Sequence, residues 1–194
     1  MKLFFRLIWL VLTQRWRPRC NVLGPVDTKV RVYPNDLDVL LHVNNGVYLT
    51  YADLGRTDLM LRSNTLAKIN KKRWYPVAAG ATVEFRKSLK LGQVFTITTR
   101  VLGWDEKSVY MGQEFTRNND TVAKIMIDAR FVSSRGERIS TDKILKLLDV
   151  NQPPPKMPPA LLQWIDSKKT VSASPGAQAP RQPLPEPDPE NALR

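Results

Sequence analysis

The 194-residue chain has little from which to build a metal or redox centre, because it contains one cysteine, Cys20, and one histidine, His42. A lone cysteine excludes an internal disulfide, and these two residues cannot supply the ligands of a zinc site. Glycine-rich motifs for nucleotide phosphates or dinucleotides are also absent from the sequence. We therefore predict no metal, no cofactor and a reducing, cytoplasmic location.

Acidic residues are missing from the first twenty residues, MKLFFRLIWLVLTQRWRPRC, which contain five basic ones. The apolar run Leu7–Leu12 is far shorter than the roughly 20 residues that span a bilayer. The small residues of a secretory cleavage site are absent as well. We treat residues 1–24 as a basic amphipathic segment. It either lies on an anionic membrane surface, with aromatic rings at headgroup depth, or packs as a helix on its own domain.

The whole chain is strongly basic, with 30 Lys and Arg against 18 Asp and Glu, a net charge of +12. Such a surface attracts the phosphates of nucleic acid, an anionic membrane or a phosphorylated small molecule. The basic residues are spread over several loops and do not alternate with aromatic residues on one face. This distribution disfavours nucleic acid as the partner.

The C-terminal part of the chain is rich in proline, since residues from Asn151 onward contain eleven of the fifteen prolines. Within residues 151–168 we predict a short helix, ALLQWID, docked on the domain by Leu162 and Trp164. Residues 169–194 lack an apolar period and are predicted to be disordered, because they cannot bury enough surface to offset the loss of chain entropy.

Residues 25–150 form the predicted folded domain. A strand covers Lys29–Tyr33, and Asn44 and Asn45 are suitable N-cap residues for a long helix, GVYLTYADLGRTDLMLRS, that follows. After a basic loop, Lys68–Arg73, come four stretches in which polar and apolar residues alternate, ATVEFRKSL, QVFTITTRVLGW, SVYMGQEFTR and VAKIMIDARFV. One strand, one long helix and four consecutive strands predict an α+β fold with an antiparallel sheet packed on a central helix.

The long helix presents Tyr48, Ala52, Gly55 and Leu59 on one face. Ala52 and Gly55 are small, so the helix backbone is expected to lie close against the sheet. The helix is therefore predicted to be buried.

Three stretches of the sequence resemble the hotdog-fold thioesterases of the 4-hydroxybenzoyl-CoA and acyl-ACP type. They are VYPNDLDVLLHVNNGVYL, KSLKLGQVFTITTRVLGWDEKSVY and PPPKMPPALLQWI, and they keep their order over most of residues 29–166. The resemblance implies a curled antiparallel sheet wrapped around a long central helix. It also implies an acyl-CoA or acyl-ACP thioester hydrolase that assembles as a homodimer or homotetramer, with active sites at the subunit interface.

The same resemblance implies three catalytic residues. Asp38 aligns with the catalytic aspartate of the 4-hydroxybenzoyl-CoA enzymes, and the alternative is an Asx-turn residue that only shapes the loop. His42 aligns with the histidine of the acyl-ACP enzymes, where it would orient the thioester or transfer a proton, and the alternative is a structural histidine. Glu84, in VEFRKSL, matches a glutamate of the acyl-ACP enzymes, and the alternative is a solvated charge beside Arg86.

Substrate binding is expected at the start of the long helix, where free N–H groups and the positive end of the helix dipole suit a developing oxyanion. Basic side chains after Glu84 are expected to hold the phosphates of coenzyme A. The candidate binding residues are Asn44, Asn45, Gly46, Tyr48, Arg86 and Lys87. Leu40 stands where the acyl-ACP enzymes have asparagine, so the alternative function is a non-catalytic acyl-CoA or lipid-binding hotdog protein at a membrane surface.

Overall fold

The alternating stretches form a six-stranded antiparallel sheet in the strand order β1-β3-β4-β5-β2, with β6 paired to β5. The computed structural model describes residues 2–173 of the chain. The strands are β1 (Val26–Arg31), β2 (Trp74–Phe85), β3 (Val94–Trp104), β4 (Val109–Arg117), β5 (Asp120–Ser133) and β6 (Arg138–Ile139).

The chain divides into two units, Met1–Met157 and Pro158–Arg194. Within residues 2–173, the sheet and four α-helices belong to the first unit, and one α-helix belongs to the second. The helices are α1 (Lys2–Thr13), α2 (Asn45–Arg62), α3 (Thr65–Lys71), α4 (Thr141–Leu147) and α5 (Pro159–Ala173). Among residues 2–173, none of the helices is both long enough and apolar enough to cross a membrane.

One face of the sheet carries the core. Phe95 and Ile97 on β3, and Ile125 and Ile127 on β5, are each at most 2% exposed, and they alternate with more exposed neighbours as a half-buried strand requires. Asn118 and Asn119 both have a positive φ in the tight turn between β4 and β5, a conformation common for asparagine in hairpin turns. The predicted α+β fold with an antiparallel sheet is confirmed.

The long helix α2 lies directly on this apolar face. A Cβ atom added at Gly55 would lie 2.6 Å from Thr99 Oγ1 and 2.8 Å from Gln113 Nε2, so glycine is required for the observed approach. Gln113 Nε2 also donates to Ala52 O at 2.8 Å, which ties the helix backbone to the middle of the sheet. The predicted contact through Ala52 and Gly55 is present.

The N-terminal segment packs on this domain through helix α1. Leu10 is 6% exposed and belongs to the main core. Arg6 forms an ion pair with Asp36, and Arg17 forms one with Asp58 on α2. Helix α1 therefore belongs to the same unit as the sheet.

The outward face of α1 is apolar. Phe5, Trp9 and Leu12 recur at helical spacing and are 64%, 68% and 61% exposed. The helix thus has two faces, one that is part of the domain core and one that is open to solvent. The packing alternative stated for this segment is observed, and the membrane-surface alternative stays a prediction.

Several elements differ from their predictions. Strand β1, predicted over Lys29–Tyr33, covers Val26–Arg31, and β6 was not predicted. Residues 68–71 of the predicted basic loop are helical and belong to α3, which begins after Asn64 and ends before Arg73, both at positive φ. Strand β2 begins at Trp74, before its alternation is visible in the sequence. Helix α5 continues to Ala173, so residues 169–173 of the predicted disordered tail are helical, and its remaining residues, 174–194, lie outside the described part of the chain.

Candidate active site

Two of the three candidate catalytic residues, Asp38 and His42, lie at the junction between β1 and α2. A short 3-10 helix, Pro34–Asp36, precedes a tight loop from Asp38 to His42. The Asp38 N–H donates to His42 O at 2.8 Å, and Leu41 has a φ of 57° at the tip of the loop. The loop therefore places Asp38 and His42 side by side.

The Asp38 side chain shapes this loop. Its Oδ1 atom accepts hydrogen bonds from Leu40 N–H at 2.9 Å and from His42 N–H at 3.3 Å. This is the Asx-turn geometry expected from the sequence. Within residues 2–173, both hydrogen bonds to this carboxylate end on Oδ1, which leaves Oδ2 for a water or substrate.

Asn44 caps helix α2, as predicted. Its Oδ1 accepts the Gly46 N–H at 2.9 Å, which occupies one of the two amides proposed as oxyanion donors. The Asn45 N–H is therefore the better donor for a substrate carbonyl. A Cβ at Gly46 would meet only Asn44 Oδ1, at 3.3 Å, so the space above the helix start is open.

Tyr48, a predicted substrate-binding residue, lies in the core. It is 2% exposed, and its ring centroid lies 5.1 Å from that of Phe85 and 5.8 Å from that of Phe115. Burial raises the pKa of the Tyr48 phenol. In the single chain, Tyr48 packs the first turn of α2 onto the sheet.

Glu84, Arg86 and Lys87 lie on the surface at the end of β2. Glu84 Oε1 accepts from Arg86 Nε at 2.9 Å, and Lys87 Nζ pairs with Asp120 Oδ2 at 2.8 Å. Each of these side chains is about half exposed. The pair of Glu84 and Arg86 matches the solvated-charge alternative stated for Glu84.

The tip of the site loop is apolar and exposed. Val39, Leu40 and Leu41 are 97%, 71% and 70% exposed. Leu40, the departure from the acyl-ACP pattern, thus faces solvent beside Asp38 and does not fill the core.

Sequence reasoning missed Asp36, the first aspartate of Asp-Leu-Asp. It is 1% exposed, and its Oδ2 accepts from Arg6 Nη2 at 2.6 Å and from Tyr33 N–H at 2.8 Å. Burial alone would raise the pKa of Asp36, but the bonds from Arg6 and Tyr33 outweigh it and the pKa is lowered. Burial, and then the Asp36 carboxylate, raise the pKa of Tyr51. The available signal was Arg6, a charged residue between the apolar residues Phe5 and Leu7 of α1.

An apolar cavity of about 330 Å³ lies beside the C-terminal half of α2. Met60, Met111 and Ile144 contribute to its wall. Arg56 also reaches the wall, where its Nη1 donates to Gln113 Oε1 at 2.7 Å. None of the sequence-predicted site residues lines this cavity.

Comparison with known proteins assigns the family. Residues 32–165 match the family model described as the thioesterase-like superfamily. The chain belongs to the thioesterase-like superfamily. Protein THEM6 of Xenopus laevis is 33% identical over 136 residues, a match that covers 69% of this chain and 64% of the relative's length.

Solved structures show the same fold as this thioesterase-like chain. The probable thioesterase YbaW of Escherichia coli superposes with a TM-score of 0.59 at 22% identity, over 63% of this chain and 96% of that one. A hypothetical protein from Staphylococcus aureus in complex with CoA superposes with a TM-score of 0.58 at 14% identity, over 75% and 95% of the two chains. The predicted hotdog fold and family are confirmed.

The low pKa of Asp36 predicts a pH-dependent stability. A carboxylate with a lowered folded pKa stabilises the protein above its unfolded pKa, about 3.9, and loses this effect as pH falls through the folded value. We expect Asp36→Asn to lower the free energy of unfolding by about 3 kcal/mol at pH 7, because it breaks a buried ion pair. Urea unfolding at pH 7 and pH 3 measures the effect.

The difference between Asp36→Asn and wild type should shrink at pH 3. Asp142→Asn is the control, because this exposed carboxylate pairs with Lys146 on the surface, and such pairs contribute little. A difference that stays the same at both pH values would contradict the assignment.

Proposed function

We propose that this thioesterase-like protein is an acyl thioester hydrolase acting on acyl-CoA or acyl-ACP. One observation carries the proposal: a carboxylate, an imidazole and a helix N-terminus all lie at the junction of β1 and α2, where Asp38 and His42 are half-buried and the helix start is exposed. Asp38 activates water, and the Asn45 N–H polarises the thioester carbonyl. His42 orients the thioester or passes the proton to the leaving group.

The reaction follows ordinary thioester chemistry. The Asp38 carboxylate takes a proton from water as the oxygen attacks the carbonyl carbon, and the negative charge that develops on the carbonyl oxygen is stabilised by the amide donor. Collapse of the intermediate breaks the carbon–sulfur bond, and the thiolate leaves with a proton. The products are a carboxylic acid and a free thiol.

Arg86 and Lys87 are proposed to bind the phosphates of coenzyme A, with Glu84 beside them at the edge of the site. Their ion pairs with Glu84 and Asp120 are exposed. Exposed pairs contribute little free energy, so either cation can exchange its carboxylate for a phosphate. Lysine and arginine both serve this purpose.

The proposed assembly is a homodimer or homotetramer that pairs through β2. This strand is twelve residues long and ends the sheet opposite β1. Tyr75, Val77 and Phe85 along it are 48%, 40% and 45% exposed. A long edge strand with exposed apolar side chains favours pairing with another chain.

The mass of the protein in solution tests this assembly. We expect the 22.1 kDa chain to sediment as a dimer or tetramer and Val77→Lys to reduce that mass, since charge on an edge strand opposes pairing. Val94→Lys is the control, because Val94 on β3 is similarly exposed, at 44%. A wild-type chain that sediments as a monomer would exclude the assembly.

Asp38→Asn is the direct test of the reaction. An asparagine Oδ1 still accepts the Leu40 and His42 amides, so the loop keeps its shape while the carboxylate is lost. We expect thiol release from a panel of short, long and aromatic acyl-CoAs to fall by about 10²-fold or more. The exposed Asp149→Asn serves as control, and undiminished turnover by Asp38→Asn would remove Asp38 from its role.

The alternative is a non-catalytic acyl-CoA or lipid-binding protein at a membrane surface. Two observations favour it: the apolar cavity of about 330 Å³ and the exposed apolar face of α1. Aromatic side chains at headgroup depth with cations nearby suit an anionic membrane. Peripheral attachment of a cytoplasmic protein is compatible with either function.

Vesicle sedimentation tests the membrane surface. We expect binding to phosphatidylcholine vesicles that contain phosphatidylserine, and loss of most binding in Phe5→Ser/Trp9→Ser because the inserted apolar area is removed. Leu162→Ser, at a residue that is 48% exposed on α5, is the control. Saturable acyl-CoA binding without any thiol release would favour the alternative over hydrolysis.

A further inference from the structure

The ion pair of Arg6 and Asp36 lies directly before the site loop. Arg6 Nη2 and Nη1 donate to the two Asp36 oxygens at 2.6 and 3.3 Å, and Nη2 also donates to Arg31 O at 3.2 Å. The guanidinium lies 5.2 Å from the centroid of the Tyr33 ring and 5.0 Å from that of Tyr51. One side chain of α1 thus contacts both the end of β1 and the core of α2.

Asp36 connects this ion pair to the candidate catalytic groups. Its carbonyl oxygen accepts the Asn44 N–H at 3.0 Å, so it holds the N-cap of α2 in place. Asp38 follows two residues later, and Leu37 bridges to Val43 across the base of the loop. Movement of Asp36 would therefore move both the Asp38 carboxylate and the amides at the start of α2.

We propose that Arg6 is a positioning residue for the thioesterase site, which makes helix α1 part of the catalytic apparatus. The inference rests on the proposed function of the loop. Arg6 touches no reacting atom in this role. It fixes the separation between the Asp38 carboxylate and the Asn45 amide, and small errors in such a distance reduce turnover sharply.

The same segment provides a matched control. Arg17 pairs with Asp58, a carboxylate that is 1% exposed, and Thr28 Oγ1 donates to Asp58 Oδ2 at 2.7 Å. Asp58 lies in the last turns of α2, at the opposite end from Asn45. Loss of either arginine breaks a buried ion pair of the N-terminal segment, but only Arg6 adjoins the site loop.

The experiment compares Arg6→Met with Arg17→Met in the full chain. Both variants should lower the melting temperature. We expect only Arg6→Met to reduce kcat for acyl-CoA, by about tenfold or more with KM within about twofold, because positioning acts on the transition state. Arg6→Lys keeps the positive charge but not the bidentate contact with Asp36. It should therefore be more stable than Arg6→Met and have a kcat between those of Arg6→Met and wild type.

Amide hydrogen exchange of residues 37–46 provides a readout that does not depend on activity. Exchange there should be faster in Arg6→Met than in wild type and unchanged in Arg17→Met. Equal losses of kcat and equal amide exchange in the two variants would overturn the inference. Arg6 would then stabilise the domain as a whole and not the site loop in particular. If the wild-type chain releases no thiol, the proposed function fails, and the exchange comparison alone decides whether Arg6 holds the loop.

Discussion

The close packing of α2 on the sheet is the constraint on which the rest of the structure depends. At Gly55 the helix backbone approaches β3 and β4 so closely that a methyl group has no room. This contact fixes the distance of α2 from the sheet and its orientation, and hence the position of its N-terminus. The candidate site is built at that end, so the position of the Asn45 amide depends on a glycine almost three turns away.

Most of the fold could be predicted because it depends on local patterns. Alternation located β3, β4 and β5, and the pair Asn44 and Asn45 located the start of α2 to within one residue. The sequence could not show α3, because a seven-residue helix between two residues at positive φ carries little periodicity. The start of β2 was missed for a related reason: an edge strand has both faces partly exposed, so its residues need not alternate.

The candidate site could be proposed from the sequence to the extent that it is contiguous in the chain. Asp38, His42, Asn44 and Asn45 lie on one loop and at the start of one helix, so a family resemblance that covers this single stretch includes all four. Asp36 was overlooked because its role comes from Arg6, thirty residues earlier, and a contact of that range leaves no pattern in a single sequence. A charged residue on the buried side of an otherwise apolar helix is the physical sign that a partner exists.

The position of Leu40 in the structure changes the interpretation of its difference from the acyl-ACP enzymes, which have asparagine there. Its side chain is 71% exposed, so replacing an asparagine there removes a polar group from the surface of the site and leaves the core untouched. An apolar side chain that stays exposed contributes no hydrophobic stabilisation to folding, and Val39 and Leu41 on either side are exposed as well. Leucine in place of asparagine at residue 40 therefore changes the stability of the fold little. Its effect is on the binding of a molecule that contacts the tip of the loop. Asp38 keeps its two hydrogen bonds from backbone N–H groups whatever the side chain at residue 40, because both donors belong to the backbone.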